Sequence, residues 1–337
     1  MIKSIILRRP VLVVFNVTRR CNSICTMCGI WKTPSKISEE LTFEEIKTIF
    51  KDLKSYGIKH VFLQGGEPLL RTDIVQIVEV MLELKLNPSI ITNGLLLKED
   101  ISQRLAKLKC NVGISLDTLD QNKYFKIRGV DGLKIVLGNI ERISHIKSRK
   151  GSWNITSTIS KINYGEAKDL YLFAKQKGFD YQAFPYNYSL CHSSALDDDL
   201  AYDKEPEKII DSFKVLSKLA EEDGLIFNKL LYDEAIKYLE GDYCVPCDAM
   251  KNSILINQAG MVSQCLEFKP SLNLKNVRIK EALSKLDYSK VQNCYMKTPC
   301  FYGCTRAAGL FKRKSPEIFL YSLLHPRAAF NYVKSYF

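Results

Sequence analysis

The chain has 337 residues, 46% hydrophobic and 26% charged, with a formal net charge of +12 and eleven cysteines. That length buries a large core and exceeds one small domain, the composition is that of a soluble globular protein, and no apolar run reaches the roughly 18 residues a membrane-spanning helix needs. Residues 1–20 hold one short apolar stretch at 11–15 between arginines, which is not the pattern of a signal peptide. The cysteines are therefore expected to ligate metal in the cytoplasm rather than form a disulfide framework. The positive charge suits either a polyanionic partner, nucleic acid or anionic lipid, or a lysine-rich solvated surface; no nucleic-acid motif accompanies it.

In chain order, strand patterns are expected at 11–17, 60–64, 88–92, 111–116, 154–159 and 181–185. Helical patterns fall between them. Ile46, Ile49, Phe50 and Leu53 recur at helical spacing behind a capping box of Thr42 and Glu45. Ile74, Ile77, Val78, Met81 and Leu82 repeat the pattern, and further helices are expected at 99–108, 133–146 and 166–177. Six strands alternating with helices imply parallel pairing through right-handed crossovers. A partial α/β barrel and a doubly wound open sheet both satisfy that alternation. An acidic stretch with Asp197, Asp198, Asp199 and Asp203 reads as a linker, and helices are expected after it at 207–221 and 230–239. The segment 244–304 is rich in cysteine, and 305–337 is a tail with six Lys or Arg and many aromatic residues. That tail suits either a helix packed on the barrel or contact with an anionic membrane surface.

Cys21, Cys25 and Cys28 follow the first strand with gaps of three and two residues. This spacing puts three thiolates on one short loop, which suits three corners of a cubane iron–sulfur cluster and leaves the fourth iron open to a substrate or cofactor. A zinc site or three buried cysteines is the plainer alternative. Later strand ends carry Gly65-Gly66-Glu67-Pro68, Thr92-Asn93-Gly94 and Ser115-Leu116-Asp117. The glycine pair permits close backbone approach, and Glu67 adds an acceptor. Alternation puts Ser115 and Asp117 on one face of the fourth strand.

Together these elements resemble the radical S-adenosylmethionine (SAM) superfamily, with Met27 where its cysteine motif usually has an aromatic residue. The resemblance implies a partial (β/α)6 barrel with a [4Fe–4S] cluster on Cys21, Cys25 and Cys28, whose open iron chelates SAM. It implies that Gly65, Gly66 and Glu67 bind the SAM amino group, with Asn93, Ser115 and Asp117 also on SAM. Arg128, in Ile127-Arg128-Gly129, suits the SAM carboxylate; a surface arginine is the other reading.

Cys244, Cys247, Cys265, Cys294, Cys300 and Cys304 form a second group, with Gly260 thirteen residues after Cys247. The pattern resembles the auxiliary-cluster domain called SPASM, or Twitch when shortened. Val291 stands where a further cysteine is expected, and no cysteine follows Cys304. By position, Cys244, Cys247, Cys265 and Cys304 complete one auxiliary [4Fe–4S] cluster, with Cys294 and Cys300 as alternates. A tetrahedral zinc site is the rival. Glu267, two residues after Cys265, is a candidate base by analogy, and an exposed glutamate otherwise. The expected organisation is a barrel core at 1–188, linker and helices at 189–243, the auxiliary domain at 244–304 and the tail at 305–337.

The resemblance implies reductive cleavage of SAM to a 5′-deoxyadenosyl radical that abstracts hydrogen from a substrate. A peptide or protein comes first by analogy, with a small metabolite, lipid or glycan as alternatives. A flavodoxin or ferredoxin is the expected electron donor. Two readings of other classes are a non-catalytic iron–sulfur carrier and a zinc-binding nucleic-acid module.

Overall fold

The computed structural model describes residues 10–187, 199–201, 206–243, 247–297 and 299–324. Cys191, Cys244, most of the acidic linker and the tail beyond 324 lie outside them. Strands β1 (Leu12–Thr18), β2 (His60–Gly65), β3 (Asn87–Thr92), β4 (Asn111–Ser115), β5 (Trp153–Ile159) and β6 (Asp180–Pro185) are apolar on the face turned to the helices. Between them lie α1 (Phe43–Tyr56), α2 (Ile74–Glu83), α3 (Glu99–Lys107), α4 (Gln121–Arg128), α5 (Leu133–Ser144) and α6 (Ala167–Gln176). The capping box starts α1 as read from sequence: Glu45 N–H donates to Thr42 Oγ1 at 3.3 Å, and Thr42 N–H to Glu45 Oε2 at 2.8 Å.

The six strands run parallel, each paired with its sequence neighbour, in the order β6-β5-β4-β3-β2-β1. This order separates the two architectures that the alternation left open. A doubly wound sheet reverses its strand order at a switch point and carries helices on both faces. A sheet wound in one direction by right-handed crossovers puts every helix on the same face. Its other face then turns inward, as in a partial barrel. The helix-side core is anchored by Phe15 of β1 against Phe50 of α1, ring centroids 6.1 Å apart and edge to face. Alternation places Asn16, Gln64, Ser115, Asn154, Thr156 and Gln182 on the inner face.

After β6 come α7 (Pro206–Glu222) and α8 (Ile226–Leu239), then β7 (Ser253–Ile256), β8 (Met261–Ser263) and β9 (Leu272–Asn273). The chain ends, as described, in α9 (Ile279–Ser284), α10 (Tyr288–Lys297), α11 (Gly303–Arg313) and α12 (Ser315–Leu324). Strand β7 pairs parallel with β1, Leu12 opposite Ser253 and Phe15 opposite Ile256, and β8 and β9 extend the sheet antiparallel. The same segment reaches the opposite edge, where Phe301 N–H donates to Asn187 Oδ1 at 2.8 Å just past β6. Residues 247–304 thus touch both edges of the six-stranded sheet. Arg313 of α11 pairs with Glu234 and Asp248, which fastens this part of the tail to α8. No helix among the described residues is long and apolar enough to cross a membrane.

Phe50 is fully buried. Phe50→Ala is expected to cost about 3–5 kcal/mol of stability in chemical denaturation. A cost below about 1 kcal/mol contradicts this packing.

Candidate functional site

Strand β1 ends at Thr18, and the loop carrying Cys21, Cys25 and Cys28 begins at the strand's carboxyl end. In parallel α/β sheets that end gathers the loops that bind ligands. The loop is fixed at several points. Ile24 N–H donates to Arg128 O at 3.2 Å and Thr26 N–H to Ile127 O at 3.0 Å. Trp31 Nε1–H donates to Cys25 O at 3.0 Å. Asn93 Nδ2 donates to Asn22 Oδ1 at 2.7 Å and to Ser23 Oγ at 3.1 Å.

Cys25 is buried, whereas Cys21 and Cys28 are half-buried. Burial pushes the Cys21 thiol up to about 11, with Cys25, Glu67 and Cys28 adding their fields. Burial, and then Cys25, also raises Cys28. The three thiols therefore share one neighbourhood, and binding a metal centre there must release protons. Soft sulfur donors on one loop suit an iron–sulfur cluster. Among the described residues no three His, Cys, Asp or Glu side chains are gathered into a metal cage.

The Gly65–Glu67 turn lies against the start of that loop. Gly66 N–H donates to Thr18 O and Glu67 N–H to Arg20 O, both at 2.8 Å. Gly65 has φ +131°, and a Cβ there would stand 2.2 Å from Thr18 O; one on Gly66 would stand 2.1 Å from Arg20 O. Only glycine permits that approach. Glu67 does not offer its carboxylate outward. It is fully buried and accepts from Leu69 N–H (3.0 Å), Thr92 Oγ1–H (2.8 Å) and Asn93 N–H (2.7 Å). Its carboxylate thus joins the ends of β2 and β3, and the Asn93 side chain carries that link on to the cysteine loop.

Ser115 ends β4, half-buried on the inner face. Asp117 lies two residues beyond the strand, so strand alternation no longer fixes its direction. It is fully buried; Oδ1 accepts from Thr158 N–H at 2.8 Å, and Oδ2 stands 2.6 Å from Arg128 Nη2. That contact is close but off-axis, since Asp117 Oδ2 has no partner in hydrogen-bond geometry. Arg128 is 9% exposed, which removes the surface reading, and its Nη1 is 3.9 Å from Cys25 Sγ. Arg128 Nε and Tyr124 Oη are also buried without an aligned partner. Unpaired buried donors beside Cys25 fit a bound polar group.

Of the second cysteines, Cys247, Cys265 and Cys300 are linked by their fields, and Cys294 acts on Cys247 and Cys300, while its own thiol is raised by burial and then by Glu267. Burial is the main cause of the raised thiols; after it come Cys247 and Cys300 on Cys265, Cys247 and Cys294 on Cys300, and Cys294 on Cys247. Cys304 packs beside Leu12, Val14 and Leu255 and lines one cavity with Cys265, Gln264 and Tyr302. Glu267 accepts from Tyr302 Oη–H, and its N–H donates to Cys265 Sγ at 3.3 Å. Cys110 is fully buried in the core.

Sequence reasoning missed Tyr124 and the helix α4 that carries Arg128, and it gave Thr92 no role beyond its place in the Thr92-Asn93-Gly94 strand end. Thr92 was signalled by the strand end it shares with Asn93. Helix α4 carries no apolar stripe, with Phe125 exposed and Arg128 buried, so periodicity passes over it.

A family model described as the radical SAM superfamily matches residues 15–174. A Thermococcus kodakarensis protein named probable GTP 3',8-cyclase is 36% identical over 166 residues, which is 48% of this chain and 52% of that protein. The chain thus spans about half of that relative. The GTP 3',8-cyclase of Campylobacter lari is 30% identical over 280 residues, 77% of this chain and 81% of its own length. Among solved structures, native anSMEcpe with bound AdoMet and Cp18Cys peptide shares the fold, with TM-score 0.66 and 17% identity over 95% of this chain and 98% of that one.

Burial lifts Glu67 from 4.5 to about 7 against its three donors. Between those values the folded chain holds a proton that the unfolded chain has released. The stability this contributes is complete below about pH 4.5 and is lost as pH rises to about 7. Glu67→Gln is expected to flatten that decline in urea denaturation across the window. An unchanged slope in the variant contradicts the assignment.

Proposed function

The chain belongs to the radical SAM superfamily, and on that footing we propose that it takes a hydrogen atom from a peptide or protein substrate. It is a SAM-dependent iron–sulfur enzyme. The [4Fe–4S] cluster, when bound with SAM, supplies one electron that splits the sulfonium into methionine and a 5′-deoxyadenosyl radical.

We assign that cluster to Cys21, Cys25 and Cys28. The observation that carries the reading is the hydrogen-bonded unit at the carboxyl ends of β1–β3. Backbone bonds join residues 18–20 to the Gly65–Glu67 turn, and Asn93 ties the end of β3 to the cysteine loop. Such a unit holds a cofactor on rigid strand ends, with Gly65 and Gly66 leaving room for its close approach. Ser115 and Asp117 stand at the next strand end, where we assign them to SAM. Glu267, bonded to Tyr302 beside Cys265, is assigned as a base toward substrate.

We assign one auxiliary [4Fe–4S] cluster to Cys247, Cys265, Cys294 and Cys300. The fields that link Cys247, Cys265 and Cys300, with Cys294 acting on Cys247 and Cys300, support this set, and Cys304, which lines a cavity with Cys265 but packs on Leu12, Val14 and Leu255, is the alternate. An electron left on the substrate after hydrogen abstraction and proton loss would pass to this centre. A flavodoxin- or ferredoxin-class donor would supply the first electron.

The inner face supports a peptide. Among the described residues it presents amides and hydroxyls from Asn16, Gln64, Ser115, Asn154, Thr156 and Gln182, and no Lys or Arg of β1–β6 lies on it. Peptide amides are matched by such groups, whereas a triphosphate calls for cations. A second reading is a nucleotide substrate, favoured by the relatives named GTP 3',8-cyclase.

Anaerobic reconstitution is expected to give about eight irons per chain, four to each cluster. SAM with dithionite is expected to yield 5′-deoxyadenosine. Cys25→Ala is expected to leave about four irons and form no 5′-deoxyadenosine, Cys300→Ser also about four, and Cys304→Ser the full complement. Stable zinc, or iron with no cleavage of SAM, contradicts the reading. Consumption of GTP coupled to 5′-deoxyadenosine formation replaces the peptide with the nucleotide.

A further inference from the structure

Arg128 stands at the end of α4, and that helix end is bolted to the cysteine loop. The backbone carbonyls of Ile127 and Arg128 accept from Thr26 and Ile24. Gly129 follows with φ +69°, and a Cβ there would stand 2.7 Å from Ile24 O. The guanidinium therefore has a fixed origin a few ångströms from the loop. Its Nη1 lies 3.9 Å from Cys25 Sγ, within reach of an N–H···S bond, and its Nη2 lies 2.6 Å from Asp117 Oδ2. Arg128 is 9% exposed and Asp117 is fully buried, so water screens neither charge effectively.

Burying such a pair has no net benefit for stability when an apolar pair of the same shape would serve. Its placement against a metal-ligating sulfur offers another use. Reduction adds one electron to a cluster on Cys21, Cys25 and Cys28. A nearby cation stabilises the more negative form, and a hydrogen bond to a ligating sulfur acts in the same direction. Asp117 opposes that field, while its Oδ1 holds Thr158 N–H and keeps the carboxylate in place.

We propose that Arg128 raises the reduction potential of the SAM-binding cluster through Cys25, and that Asp117 trims the increase. Arg128 acts through the sulfur, so it is a positioning residue and not a catalytic one. The inference rests on the cluster assignment made above, and it goes beyond the role of a carboxylate ligand for SAM.

The test is a potentiometric titration, followed by electron paramagnetic resonance, of the full chain reconstituted anaerobically and kept free of SAM. Arg128→Met is expected to shift the midpoint potential of the cluster to more negative values. Asp117→Asn keeps an acceptor for Thr158 but loses its charge, and is expected to shift the potential the other way. Arg128→Lys is expected to fall between wild type and Arg128→Met. Should Arg128→Met fail to hold iron, the lysine variant and Asp117→Asn decide the matter. Unchanged potentials, or shifts of one sign in both Arg128→Lys and Asp117→Asn, overturn the proposal. An unchanged SAM-free potential with weakened SAM binding gives Arg128 to the nucleotide and also overturns it. A wild type that holds no cluster overturns this proposal and the cluster assignment together, whereas a cluster with unmoved potentials overturns this proposal alone.

Discussion

The backbone of residues 18–20 and the Gly65–Glu67 turn meet at a distance that leaves no space for a side chain. Two hydrogen bonds of 2.8 Å cross that contact, and a methyl group on either glycine would overlap a carbonyl oxygen of the facing chain. The cysteine loop begins where this contact ends. Strand pairing therefore sets where the loop starts, and bonds to Asn22, Ser23, Ile24 and Thr26 fix the rest of it. Glu67 extends the constraint to β3, because its buried carboxylate gathers donors from Leu69, Thr92 and Asn93. Oε1 has two donors, in Leu69 and Thr92, whereas losing the Asn93 bond would leave buried Oε2 without a partner, at a cost of about 1–3 kcal/mol.

Winding in a single direction has a second consequence. With every helix on one face, the inner face of β1–β6 does not need an apolar partner along its whole length, and it carries amides and hydroxyls toward its carboxyl end. Near its amino end it packs on apolar groups, where Leu12 and Val14 meet Leu255 and Cys304, and at the end of β6 Phe184 lies against Gly303. The segment after α8 brings those groups. It adds β7 to the free edge of β1 and bonds to Asn187 beyond β6, so the second set of cysteines is carried across the opening of the sheet.

Much of this was legible in the residues. The apolar periods of β1–β6 and the capping box of α1 are local signals, and each is read from a few neighbouring side chains. Cys21, Cys25 and Cys28 declare themselves by spacing, and Gly65-Gly66 by the absence of side chains. What was hidden depends on distant partners. Nothing within four residues of Arg128 indicates that Asp117 and Cys25 meet it, and its helix has no stripe to betray it. The carboxylate of Glu67 turns inward because Thr92 and Asn93 wait for it on another strand. Strand β7 is four residues long and becomes a strand by pairing with β1, some 240 positions earlier in the chain. Cys304 has the spacing of a ligand and lines a cavity with Cys265, and its side chain also packs against Leu12, Val14 and Leu255.

The central claim is that the cysteine loop leaves one iron of its cluster open and that SAM occupies it. Electron–nuclear double resonance on the reduced protein tests this directly, using SAM labelled with nitrogen-15 in the amino group and oxygen-17 in the carboxylate. The account predicts strong coupling of both labels to the cluster in wild type. Labels that remain uncoupled, while SAM is bound and the cluster is reduced, would contradict it.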